Sequence, residues 1–210
     1  MNLIAELQYF PSLIFYKYSY QYTNIVFEQY ENYQKMSFRN RCIICGANGP
    51  ITLSIPLEDG RNQRSIMKDV RISNAQNWQI QHWRSIESVY NKSPWFEFYK
   101  EELSRLYLKP VHFLMEWNLL CFEWTISKLG SDVSFTLSGS FCKEYVEIET
   151  FDFRNKLLPK NYAQYNPIKY RQVFEERTGF LPNLSILDLL FCEGKNSEEL
   201  IKGQSRLNKN

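Results

Sequence analysis

The sequence predicts an α/β fold, with a small mixed or parallel sheet in the N-terminal half and a mainly helical C-terminal half. Three observations lead there. A short apolar run, Leu3 to Leu7, is followed by an aromatic segment after Pro11 and a second apolar run, Ile25 to Phe27; strand, turn, helix, strand opens a parallel α/β unit. Cys42 to Cys45 and the alternating run Ile51 to Leu57 flank the turn-forming stretch Ala47 to Pro50 and read as a hairpin. From Trp78 onward the apolar spacing changes to helical offsets.

Taken in order, Leu13, Tyr16 and Tyr20 share a helical face that Asn24 ends. Glu28 to Arg41 is the most polar stretch of the first half and reads either as a solvated loop or as a ligand-facing one. Ile66 to Ile72 alternates and reads as a further strand. Trp78, His82, Ile86, Val89 and Tyr90 form one stripe of a helix. Ser93 is the expected N-cap of the next helix, with Pro94 at its first position. Val111 to Leu129 reads as a helix closed by Gly130, with His112 in its first turn. Asp132 to Leu137 reads as a strand, 141–153 fits no single pattern, and Tyr170 to Thr178 and Ile186 to Phe191 read as helices. The expected layout is one domain, sheet-rich over residues 1–75 and helix-rich over residues 76–194, with a frayed polar tail at 195–210.

Composition narrows the function classes. With 14 Tyr, 15 Phe and 5 Trp, the chain can build a core with polar tips or an aromatic-lined groove. A net charge of +2 with scattered Lys and Arg gives no basic face for nucleic acid. No apolar run is long enough for membrane insertion, and the N-terminus lacks the marks of a signal peptide. Five irregularly spaced cysteines then read as reduced thiols of a cytoplasmic protein. Cys42 and Cys45 have C-x-x-C spacing, but no second ligand pair follows, so no metal site is expected. No cofactor motif is present.

His82, on the buried side of its helix, reads either as a core histidine bonded to backbone or as a general base in a low-dielectric pocket. Arg41 and Lys35 have the chemistry to hold a phosphate or carboxylate, and Asn40 to orient a carbonyl or hydroxyl. Gln8 and Tyr9 sit where the first strand ends, the usual ligand position in an open α/β sheet. Asp188 reads as an orienting carboxylate, or as a cap or core ion pair near Arg154.

An ordered set of segments resembles the WbqC-like family over nearly the whole chain. They are LQYFP (Leu7 to Pro11), NYQKMSFRNR (Asn32 to Arg41), ITLSIPL (Ile51 to Leu57), the Trp78 to Tyr90 helix, SPWFEFY, FDFR (Phe151 to Arg154) and GFLPNLSILDLLFCEG (Gly179 to Gly194). The resemblance implies a role in O-antigen or other surface-polysaccharide biosynthesis. The chain departs from the family pattern at Gln8, which leads directly to Tyr9 without an intervening proline, at Phe15, near where a glycine is expected, and at Cys192, where asparagine is common. Phe10-Pro11 is also similar to the opening of the H-x-G-H nucleotidyltransferases, but the histidines and glycine are missing.

Two functions stay open. One is a cytoplasmic transferase acting on an activated sugar or amino-sugar precursor, such as a nucleotide-sugar. In it Gln8, Tyr9, Lys35, Asn40 and Arg41 line the site, His82 is the base and Asp188 orients it. The other is a non-catalytic scaffold that binds a glycan, nucleotide-sugar or protein. Whether His82 shares an open pocket with Arg41 and Lys35 separates them.

Overall fold

A computed structural model describes residues 1–60, 64–145 and 150–206. Its centre is a four-stranded, all-parallel sheet of β1 (Asn2–Ala5), β2 (Asn24–Phe27), β5 (Ser134–Leu137) and β6 (Thr150–Asp152). The order across the sheet is β5-β2-β1-β6. Asn2 lies opposite Asn24 on one side and Thr150 on the other, while Asn24 lies opposite Ser134. The α/β class is as expected, and the sheet is parallel. Its two outer strands come from beyond residue 130, so the sheet is assembled from both halves of the chain.

The link from β1 to β2 is helix α1 (Leu13–Ser19). Ser12 caps it, its Oγ accepting from the Ile14 N–H, as the residue type favours. Just before the cap Phe10 adopts a left-handed φ of 38°. The strain is held from elsewhere: Ser185 Oγ donates to the Phe10 carbonyl, and Ser12 Oγ donates to the Asn183 carbonyl.

The hairpin forms as read, with β3 (Arg41–Ile44) antiparallel to β4 (Ile51–Ser54). Ile66 to Ile72 is not a strand. Met67–Asp69 makes a single 3-10 turn, and Ile66, Arg71 and Ile72 form isolated bridges, to Asn32, Phe113 and Leu57. The buried positions are Met67, Val70 and Ile72, so the apparent alternation conceals a turn.

Helix α2 (Trp78–Tyr90) buries the five residues of the expected stripe. Helix α3 (Phe96–Tyr107) starts later than expected, and Ser93 is not its cap. Ser93 Oγ instead donates to the Tyr90 carbonyl and closes α2, while the Trp95 N–H is taken by the Phe191 carbonyl. Helix α4 (Leu114–Leu129) ends on Gly130 at φ 65°. His112 lies ahead of this helix rather than in its first turn; it is exposed, and its carbonyl accepts from the Ile72 N–H. The face of α4 covers the sheet, with Phe122 against Phe27 and Phe135 at ring separations of 4.9 and 5.3 Å.

Of the expected helix 170–178 only α5 (Glu175–Thr178) forms. Helix α6 (Ile186–Glu193) is capped by Ser185 Oγ and stopped at Gly194. A side chain at Gly194 is impossible without rearrangement, because an added Cβ would lie 2.1 Å from the Trp95 ring. Ser197–Arg206 is a helix, α7, and not a frayed tail. Ile201 is fully buried, and Tyr20 of the α1 cap donates to Glu198. Ser197 is fully buried as well, its Oγ donating to the Leu189 carbonyl at 3.3 Å.

Candidate functional site

The carboxyl ends of parallel strands are where open α/β sheets place ligands, because the loops there diverge around a crevice. Here those ends carry charge. Glu6 follows β1, Glu28 follows β2, Ser138 follows β5, and Asp152 ends β6. Arg154 reaches Asp152 through two bonds of 2.9 and 2.6 Å and approaches Glu28 at 3.5 Å. Ser138 Oγ donates to Glu28. Arg39 donates twice to Glu31 and lies 3.9 Å from Glu6. Burial raises the Glu31 carboxyl above its usual range, with Arg39 opposing the shift. Gln8 is part of this network, donating to Glu6 at 2.9 Å. The inner part of the cluster is closed to solvent, with Glu6, Glu28 and Arg39 fully buried, while Asp152 at its edge is partly exposed. In sequence Arg154 reads only as a candidate partner of Asp188, and Glu28, Glu31 and Arg39 only as members of one polar stretch; the further signal is a carboxylate immediately after each of the first two strands.

The segment between β2 and β3 joins this network to an open cleft. Glu28, Glu31, Tyr33, Ser37, Phe38, Arg39 and Asn40 are all buried, so the segment is not a solvated loop. Asn118 of α4 clamps it, donating to the Leu7 and Arg39 carbonyls. Lys35, Asn40 and Arg41 line one cleft of about 670 Å³, with Tyr33 beside them and Ile55 to Leu57 forming the apolar wall. Neither Lys35 nor Arg41 forms an ion pair among the described residues. Arg41 Nε and Asn40 Oδ1 are buried atoms with no hydrogen-bond partner there. Proteins rarely leave such atoms unmet.

The other sequence-selected residues lie elsewhere. His82 does not line the cleft. Its Nδ1 lies 3.0 Å from the Tyr9 hydroxyl, which also contacts the Tyr107 hydroxyl at 2.6 Å. Burial lowers the His82 pKa to about 4, against a smaller upward effect of a hydrogen bond at the Ser54 backbone. The imidazole is therefore neutral at pH 7. Trp78 packs edge-on against it and Tyr9 stacks on it, at ring separations of 5.2 and 5.7 Å. Tyr9 is fully buried in this cluster and, like His82, is absent from the cleft.

Asp188 is fully buried on α6 and is not paired with Arg154. It accepts from Tyr90 at 2.7 Å, Tyr170 at 2.6 Å and Gln172 at 3.2 Å. Burial raises its pKa to about 6, partly countered by those three donors. Tyr90 in turn accepts from the Cys45 N–H, so this carboxylate ties α2, β3 and α6 together.

All five cysteines are free thiols. Burial raises Cys42 strongly and Cys45 to about 12, which leaves the C-x-x-C pair protonated and unreactive. Among the described residues no group of His, Cys, Asp and Glu could hold a metal ion, and no helix is long and apolar enough to cross a membrane.

Comparisons with curated proteins and with solved structures found no match. The model of the WbqC-like protein family matches residues 8–145 and 136–200, which take in three of the four sheet strands (β2, β5 and β6), the cleft and the Asp188 cage. The chain belongs to the WbqC-like protein family.

Proposed function

We propose that the protein holds an activated, anionic sugar or amino-sugar precursor of surface polysaccharide in the Lys35–Asn40–Arg41 cleft and acts on it as a cytoplasmic transferase. The observation that carries this reading is that Asn40 and Arg41, which line an open cleft, each hold a buried polar atom, Asn40 Oδ1 and Arg41 Nε, with no partner among the described residues. Arg41 offers a planar fork to a phosphate, Lys35 adds a mobile positive charge, and Tyr33 with Ile55 to Leu57 gives a ring a surface to lie on. Catalysis in this reading works by positioning and by neutralising the charge on a departing phosphate, which needs no side-chain base in the cleft. His82 is then a structural residue that fixes Tyr9 and not the base. The cytoplasmic setting fits the five free thiols, and residues 1–206 are read as a single domain.

The scaffold reading is the second choice, and the test set by His82 favours it: His82 does not share the cleft of Arg41 and Lys35, and among the described residues no histidine or carboxylate lines it. Thermal-shift measurements with nucleotide-sugars, on wild type and Arg41→Ala, test binding first. A shift in the wild type that the variant loses supports the cleft. Mass spectrometry of the same mixtures with acceptor sugars then separates turnover from binding alone. If no nucleotide-sugar shifts the wild type, the proposal fails.

A further inference from the structure

Building on the cleft reading above, we infer that the ligand is an anion carrying its own hydrogen-bond donor, and that Asn40 is the residue that selects it. The chemical class is a phosphate ester or a carboxylate of a polyhydroxylated ring. Asn40 is 9% exposed. Its orientation is fixed from both sides: its carbonyl accepts from the Ile55 N–H at 2.8 Å, and its Nδ2 donates to the Ile55 carbonyl at 2.9 Å. A carbonyl accepts and never donates, so the amide nitrogen must face Ile55 and the amide oxygen must face away. That oxygen, Oδ1, has no partner among the described residues.

An amide oxygen can only accept, and Arg41 Nε can only donate. Adjacent residues that line one cleft therefore carry one unmet acceptor and one unmet donor, both closed to solvent. A bare dianion satisfies Arg41 and Lys35 but brings acceptors alone, which leaves Asn40 Oδ1 stranded beside added negative charge. A hydroxyl or N–H on the same molecule completes both. The Ile55 to Leu57 wall suits the C–H face of a saturated ring.

Calorimetric titration at pH 8 tests this with three probes: glucose 1-phosphate, glucuronate and cyclohexyl phosphate, a ring of the same size with no hydroxyls. Glucose 1-phosphate should bind the wild type about tenfold or more tightly than cyclohexyl phosphate. Asn40→Ala should bring that ratio towards one while leaving cyclohexyl phosphate unchanged, whereas Arg41→Ala should weaken all three. A preference for glucuronate over glucose 1-phosphate assigns the anion to a carboxylate, and the reverse assigns it to a phosphate. Equal wild-type binding of glucose 1-phosphate and cyclohexyl phosphate overturns the selectivity, and this comparison needs no variant to fold. So does an Asn40→Ala variant that weakens all three probes alike. Should the wild type bind none of them, the anion-binding reading itself falls, and the selectivity with it.

Discussion

His82 Nδ1 and both Asp188 carboxylate oxygens meet partners inside the protein, whereas Asn40 Oδ1 and Arg41 Nε, on residues that line the cleft, meet none among the described residues. Both regions are buried and polar, and both were candidates in the sequence. The difference separates groups that hold the fold from groups that await something. His82 is locked between Tyr9 and the Ser54 backbone, and Asp188 sits in a cage of two tyrosines and a glutamine. Both have shifted pKa values, yet neither lines the cleft. A perturbed pKa is weaker evidence for a site than an unmet donor on a residue that lines a cleft.

The contrast can be broken by experiment. Tyr170→Phe removes a donor from a fully buried carboxylate and should cost about 2–3 kcal/mol in chemical denaturation, with no change in ligand affinity. Loss of binding without loss of stability would move Asp188 into the site.

pH separates the two enclosed groups from each other. Asp188 is raised to about 6 in the fold, so between its unfolded value of 3.8 and about 6 the folded state holds the extra proton. Its contribution therefore falls as pH rises through that window. His82 is lowered to about 4, so between about 4 and 6.5 the unfolded state holds the extra proton. Its contribution is present above 6.5 and is lost as pH falls towards 4. The two oppose each other. Relative to wild type, Asp188→Asn should lose about 2 kcal/mol more stability between pH 6.5 and 4.5, and His82→Gln should gain by a similar amount. Parallel stability-versus-pH curves for all three proteins would show that neither group is shifted.

At the cleft the order of effects reverses. Arg41→Ala should weaken binding of a phosphate-bearing probe about tenfold, equivalent to about 1.4 kcal/mol, while changing stability by no more than about 0.5 kcal/mol. The smallest effect is expected for Tyr9→Phe, which removes the hydroxyl between His82 and Tyr107 at a cost of about 1 kcal/mol. Its melting temperature should fall while probe affinity holds.

Local patterns were legible in the sequence where one element decided them. The α2 stripe, the hairpin and Gly130 follow from spacing and cap chemistry alone. Ile66 to Ile72 misled because a 3-10 turn and a strand can both bury the residues that alternation highlights. Ser93 misled because the Trp95 N–H bonds to α6, more than ninety residues downstream. Lys35, Asn40 and Arg41 could be selected together because they are neighbours in one polar stretch. The Glu6, Glu28, Arg39 and Arg154 network could not, since the sheet gathers it from three distant segments. His82 and Asp188 were visible as unusual, but only packing reveals whether an unusual residue is satisfied.

The pairing of Asn2 with Thr150 has a consequence for how the chain reaches this state. During synthesis the first strand emerges with β2 close behind, but its second neighbour arrives only when most of the chain has been made. Until then the β1 edge, with the buried residues Leu3 and Ile4, is an unpaired parallel template. Closing so long a loop is slow, and the waiting edge is open to other chains. The same sheet that brings charged residues from three segments to one end thus leaves the β1 edge unpaired on one side until residues 150–152 have been made.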